Sequence, residues 1–227
     1  MMKNKVMLLV LIILGFAFAK LPTSPLPDGF VYVQEVIPDL DVELRYLTDH
    51  NFVGKPIEGY RANTLILTKD AAEALGKVQE ALRDQNFCLK VYDGYRPQRA
   101  VNHFVTWAKD LGDTLNKHAF YPEVEKQFLF SEGYIASKSG HSRGSTIDLT
   151  VTDGNTGEPL DMGGAYDFFG EQSWLSYGHL TEAQQNNRQI LQSVMQAHNF
   201  RNYPKEWWHF TLRWEPFPNT YFDFLVE

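Results

Sequence analysis

Two stretches lying far apart in the chain, Ser139-Gly140-His141-Ser142-Arg143-Gly144-Ser145-Thr146-Ile147-Asp148 and Glu206-Trp207-Trp208-His209, offer two imidazoles and two carboxylates. That set suffices for a catalytic zinc site. Zinc accepts neutral imidazole and carboxylate, and a catalytic centre keeps one position open for water. On this reading His141, Asp148 and His209 hold one Zn2+ per chain, and Glu206 is the base that takes the water's proton. Two neutral histidines and one acid leave the centre with a net positive charge, which draws the pKa of bound water toward neutrality. Glu206 precedes His209 by three residues, so backbone geometry alone can bring it beside the metal. The helical H-E-x-x-H pattern is absent; Pro204 and the run Trp207–Leu212 predict a strand or tight loop instead.

A competing reading holds that each histidine is a surface or satisfied core residue, the commoner fate of a single His. Asp148 resists it. Thr146-Ile147-Asp148-Leu149-Thr150-Val151 is a β-branched run that reads as a buried strand, where an unpaired carboxylate is costly. Gly140 and Gly144 flank His141 as in a loop whose backbone must approach something closely. Spacing alone leaves the two readings level.

A third motif, Asp93-Gly94-Tyr95-Arg96-Pro97, joins S-x-H-S-R-G-S-x-I-D-L-T and E-W-W-H in order along the chain. Together they resemble the zinc D-alanyl-D-alanine dipeptidases related to the VanX resistance protein. The resemblance runs from about Val33 to the end of the chain, with support from Arg45–Thr48, Asn51–Pro56, Ala136–Ser139 and Pro218–Phe224. It implies hydrolysis of D-alanyl-D-alanine to two D-alanine. It places His141, Asp148 and His209 on the zinc ligands, Glu206 on the base and Arg96 on the arginine that stabilises the oxyanion. It also implies that Ser139 lies near the substrate carboxylate and that Asp167 receives the substrate ammonium, with Tyr46 assisting. Gly140 and Thr146 stand where the resistance enzyme has Ser and Ala, and Gly140 bears on the carboxylate side. Two alternatives share the ligands: a zinc D,D-carboxypeptidase or peptidoglycan endopeptidase taking longer peptides, and a non-catalytic module that binds cell-wall peptides.

The elements that must position these residues are legible in part. Asp70 and Glu73 make a capping-box spacing, and Ala71, Leu75, Val78 and Leu82 mark one apolar helix face. Phe87–Tyr92 reads as a strand, holding Cys88 as a buried thiol. Gly94 then permits a turn, and Pro97 opens a helix whose buried side is Val101, Phe104, Val105 and Ala108. One or two strands fit Phe30–Leu47, and a short helix or two fit residues 112–133. Asp153–Gly157 reads as a turn joining two hairpin strands, and Asp161–Gly170 as a loop folded close to the site. Thr181 caps a last helix that buries Ala183, Ile190, Leu191, Val194 and Met195. His103 and His118 are expected at the surface, and His179 as a structural or exposed residue. The sum is an α+β single domain, an antiparallel sheet flanked by helices with a zinc cleft, and the resemblance implies the Hedgehog/DD-peptidase-like form of it.

At 227 residues one domain is expected, and 44% hydrophobic residues suffice to pack it. Lys3 and Lys5, the apolar run Val6–Leu14 and Ala17-Phe18-Ala19 have the order of a signal peptide, residues 1–19, cut after Ala19. The apolar run is short for a bilayer span. Residues 20–29 then form a linker and 30–227 the zinc dipeptidase domain. An exported, periplasmic protein follows, free of the membrane after cleavage. Its formal charge, −7 over the whole chain, becomes more negative with the two lysines lost, which gives no support to nucleic acid as a partner. The expected partner is a small D,D-dipeptide; oligomeric state is not legible.

Overall fold

The computed structural model describes residues 25–227. The expected signal peptide, residues 1–19, and the first half of the expected linker lie outside the described residues.

Seven strands and four helices build the domain: β1 Phe30–Tyr32, β2 Asp41–Val42, β3 Ile66–Thr68, α1 Lys69–Arg83, β4 Phe87–Asp93, α2 Gln98–Lys109, α3 Lys117–Phe120, β5 Thr146–Asp153, α4 Glu182–Ala197, β6 Phe200–Tyr203 and β7 Glu206–Leu212. The main sheet has the order β2-β4-β5-β7-β6. It is antiparallel throughout except at its edge, where β2 runs parallel to β4. β1 and β3 form a separate antiparallel pair.

The central strand β5 explains the layering. Side chains alternate between faces of a strand, so Ile147, Leu149 and Val151 share one face and Asp148, Thr150 and Thr152 the other. All six are buried. The apolar face belongs to the core, where α1 and α4 pack on each other and on the strands. The polar face is turned toward a cleft roofed by the loops between α2 and β5 and between β5 and α4.

Several sequence expectations need correcting. Helix α1 begins at Lys69 with Thr68 at its N-cap, so Asp70 and Glu73 sit inside the helix, not as a capping box. The Thr68 hydroxyl is engaged instead with Ser145 Oγ at 2.8 Å, and acids in the first turn still favour the helix dipole. Thr181 does cap α4, in a full box with Gln184. Ala183 is exposed, however, and Arg188 is buried in that helix. The turn at Asp153–Gly157 leads back to a single bridge, Thr152 to Pro159, and not to a second strand, because Asp153 Oδ1 accepts the N–H groups of Asn155 and Thr156 and closes the turn locally. Cys88 is half-buried and free.

Gly144 illustrates how tightly the layers fit. Its φ is +82°, and a Cβ there would run into the Phe30 ring. Gly144→Ala combines backbone strain with overpacking and should cost about 2 kcal/mol or more. The check is the midpoint of urea unfolding against the unsubstituted protein.

Candidate metal centre and its cleft

Three neighbouring strands carry the centre. Asp148 on β5 is paired in register with Asp93 on β4 and with His209 on β7. Sheet pairing therefore brings three ionisable groups from distant parts of the chain side by side. His141 comes from a 3-10 turn, Gly140–Arg143, entered at Ser139, whose Oγ accepts the His141 N–H at 3.2 Å, and left through Gly144. Gly140 is required by proximity: a Cβ would come within 2.7 Å of Thr146 Oγ1. The turn is fastened to the end of β4, since Arg96 N donates to His141 O at 3.3 Å and His141 Nδ1 lies 2.8 Å from Gly94 O. A carbonyl can only accept, so Nδ1 carries the hydrogen and Nε2 is left with a free lone pair facing Asp148 and His209.

His141 Nε2, Asp148 Oδ1 and His209 Nδ1 form a nearly equilateral triangle. Its sides are 3.3 Å from His141 to Asp148, 3.3 Å from His141 to His209 and 3.1 Å from His209 to Asp148. Ligands about 2.0–2.1 Å from a tetrahedral zinc stand roughly 3.3–3.4 Å from one another. Asp148 Oδ1 is buried with no hydrogen-bond partner, an expensive condition for a carboxylate oxygen unless something cationic faces it. The donor types, the spacing and the orphaned oxygen all fit a zinc ion held by these three residues.

The electrostatics agree. Burial alone would raise the Asp148 carboxyl, but the two imidazoles hold it well below the usual carboxylate range. Burial works against charge on His209, yet the neighbouring carboxylates of Asp148 and Glu206 push its imidazole up to about 10. Glu206 Oε2 is 3.2 Å from His209 Nδ1, one corner of the triangle.

Arg96 enters from the turn after β4. Its Nε donates to Asp93 Oδ2 at 2.8 Å, its Nη2 stands 3.6 Å from Asp148 Oδ2, and Tyr46 and Phe104 cover its plane at 4.9 and 5.3 Å. At the far end Asp167 is buried, with φ +60°. Its Oδ2 accepts from Tyr46 OH at 2.8 Å. No Lys or Arg pairs with Asp167 among the described residues, and burial, reinforced by the charge of Asp148, pushes its carboxyl well above the ordinary value.

Tyr46, Arg96, Ser139, His141, Asp148, Asp167, Glu206 and His209, the eight residues expected from the sequence, all line one cavity of about 290 Å³. Phe52, Phe104, Tyr134 and Phe169 make up much of its apolar wall. His103, His118, His179 and Cys88 lie elsewhere. A larger cleft of about 860 Å³, with Arg45, Tyr92, Thr150 and Trp207 on its walls, lies beyond Tyr166. It gathers no metal-ligating cluster among the described residues, so the chemistry belongs to the smaller cavity. Sequence reading missed Asp93, Tyr60 and Tyr166. Tyr60 OH donates to Asp93 Oδ1 at 2.6 Å, and Tyr166 OH to Asp148 Oδ2 at 3.2 Å. Asp93 had a signal: an acid closing an apolar strand, three residues before Arg96. The two tyrosines had none, because only the fold brings them there.

Two imidazoles and a carboxylate poised for one metal, with a free glutamate alongside, define a metal-dependent hydrolase. The sequence profile of Peptidase_M15, D-ala-D-ala dipeptidase, matches residues 27–227, and the chain belongs to that family. It is 42% identical over 199 residues to a D-alanyl-D-alanine dipeptidase of Enterococcus faecium, covering 88% of this chain and 98% of the relative. The corresponding Streptomyces coelicolor protein is 43% identical over 197 residues, covering 87% and 98%. That of Escherichia coli is 33% identical over 177 residues, covering 78% and 81%.

A proton on His209 must leave before a metal can bind at Nδ1. Below pH of about 10 the metal-free imidazole is protonated, so zinc affinity should rise with pH toward that value, and binding at pH 7.5 should release about one proton. Calorimetric titration of zinc in buffers of different ionisation enthalpy checks this; release of none would contradict it.

Proposed function

We propose that this chain hydrolyses D-alanyl-D-alanine to two D-alanine, using one Zn2+ per chain held by His141, Asp148 and His209. The observation that carries the reading is the convergence of that ligand triangle and Glu206 within a cavity of about 290 Å³, at the small end for a ligand site. When bound, the zinc supplies a Lewis acid and a water of lowered pKa.

The chain's own residues do the rest. Glu206 accepts the proton of the attacking water and returns it to the departing amine. Arg96 presents its free N–H groups to the negative charge that develops on the carbonyl oxygen, a role worth roughly 2.7–4 kcal/mol for one such donor. A free dipeptide carries an ammonium and a carboxylate close to its only amide bond. Asp167 with Tyr46 receives the ammonium, which supplies the cation that this buried acid lacks, and Ser139 lies on the carboxylate side. Holding both ends fixes the amide between them.

A D,D-carboxypeptidase or endopeptidase would need room for further residues beyond the amino end. Buried Asp167 and the aromatic wall around it favour the dipeptide. Intact Glu206 and Arg96 favour catalysis over simple binding. Export to the periplasm, on the strength of residues 1–19, makes recovery of wall-derived dipeptide the role we favour.

Glu206→Ala should bind zinc at normal stoichiometry yet lose turnover by about 10²–10⁴-fold, measured as D-alanine released. Retained turnover would remove Glu206 from its role. A panel of D-Ala-D-Ala against a pentapeptide ending in it, each with and without chelator, should show metal-dependent cleavage of the dipeptide alone.

A further inference from the structure

Asp93 is fully buried against Arg96 and His141, and the reaction as described makes no use of it. It is fully committed. Oδ1 accepts from Tyr60 OH at 2.6 Å and Oδ2 from Arg96 Nε at 2.8 Å, while Oδ2 also stands 3.5 Å from His141 Nδ1. Tyr60 is itself fixed, bridging to Val226 near the C-terminus. A carboxylate held from the far side by a buried tyrosine cannot follow its partner; the partner must come to it.

The partner is a guanidinium with a choice. Arg96 lies almost wholly within the protein and needs a counterion there. Two carboxylates are in reach: Asp93, bonded to Nε, and Asp148, whose Oδ2 is 3.6 Å from Nη2. Tyr46 and Phe104 cover the plane of the guanidinium and leave its edges free. The bond to Asp93 opposes a short swing onto Asp148. Such a swing would pair the terminal N–H groups with Asp148, take them from the substrate and tie up a residue of the metal triangle.

We propose that Asp93 is a positioning residue: anchored by Tyr60, it holds Arg96 toward the substrate and off Asp148, so that one buried carboxylate protects both the oxyanion donor and the metal ligand. This rests on the roles given above to Arg96 and Asp148, but one arm of its test does not require turnover.

The variants are Asp93→Asn, Arg96→Ala and the two combined, with zinc affinity measured by competition with a chelating dye and kinetics on D-Ala-D-Ala. Asp93→Asn should lower zinc affinity about 10–100-fold and kcat about 10²-fold, with KM little changed. Adding Arg96→Ala should then restore most of the zinc affinity, since the competing cation is gone, and should lower kcat no further than Arg96→Ala alone. Additive losses in kcat would overturn the proposal. So would a zinc affinity that Asp93→Asn leaves unchanged, or one that fails to recover in the double variant, which would mean that Asp93 acts through His141 instead. Should Asp93→Asn not fold, Tyr60→Phe loosens the same anchor, and the same two losses in smaller measure are expected; neither loss would reject the idea. Absence of turnover in the unsubstituted protein would sink the dipeptidase reading and leave the zinc arm to decide this one.

Discussion

The register of β4, β5 and β7 is the constraint on which the site depends. It sets Asp93, Asp148 and His209 abreast on three adjoining strands. A slip of one residue would turn every side chain of β5 to the opposite face. Asp148 would then enter the apolar layer and Ile147 or Leu149 would face the cleft. What forbids the slip is not the site but the other face: Ile147, Leu149 and Val151 are all fully enclosed in the core. At roughly 25 cal/mol per Å² of apolar area buried, that face fixes the register far more strongly than any polar contact. The metal centre thus inherits its precision from hydrophobic packing on the far side of the same strand.

Gathering Asp148, Asp167 and Glu206 around one cavity, with Asp93 behind Arg96, carries a high electrostatic cost, and each acid is accommodated differently. Asp93 is satisfied by a tyrosine and a guanidinium. Asp148 is held ionised by the two imidazoles beside it. Glu206 stays half-buried and in touch with solvent. Asp167 alone has no cation, and its carboxyl is driven upward by burial and by Asp148. A site that keeps one acid short of a counterion is prepared for a ligand that brings one. That is the environment the proposed role of Asp167, receiving an ammonium group, calls for.

How much of this was legible depended on whether the signal was local. The β5 run announced a buried strand through its β-branched residues, and Thr181 announced α4 through a cap that the structure keeps. Gly140 and Gly144 could be read as close approaches before Thr146 and Phe30 were known to be the neighbours. The Asp70–Glu73 spacing misled, because Thr68 begins the helix while its hydroxyl is drawn away by Ser145, a residue remote in sequence. Ala183 misled for a related reason: the last helix is held by Arg188 and not by apolar residues alone in its first half. Spacing by itself left the metal reading level with its rival. Three motifs in a familiar order tipped it, and only the folded geometry put the three donor atoms on one triangle.

Arg188 also explains why the Asp167 end of the cleft is fixed. Its guanidinium donates to the carbonyls of Met162, Gln172 and Trp174 at 2.6–2.9 Å, and although burial draws its pKa down to about 10, it stays charged near neutrality. These carbonyls bracket Asp167, and Phe169 N within the same loop donates to Phe120 O at 2.7 Å. A non-glycine residue at φ +60° persists only where its surroundings over-determine it. Here a buried cation at one side, a backbone bond at the other and the Tyr46 hydroxyl at the carboxylate itself supply that determination. A flexible loop bearing Asp167 could follow the ammonium of a longer peptide outward. A loop clamped in this way cannot, so the distance from Asp167 to the metal triangle is set by the frame, as the proposed dipeptide preference requires.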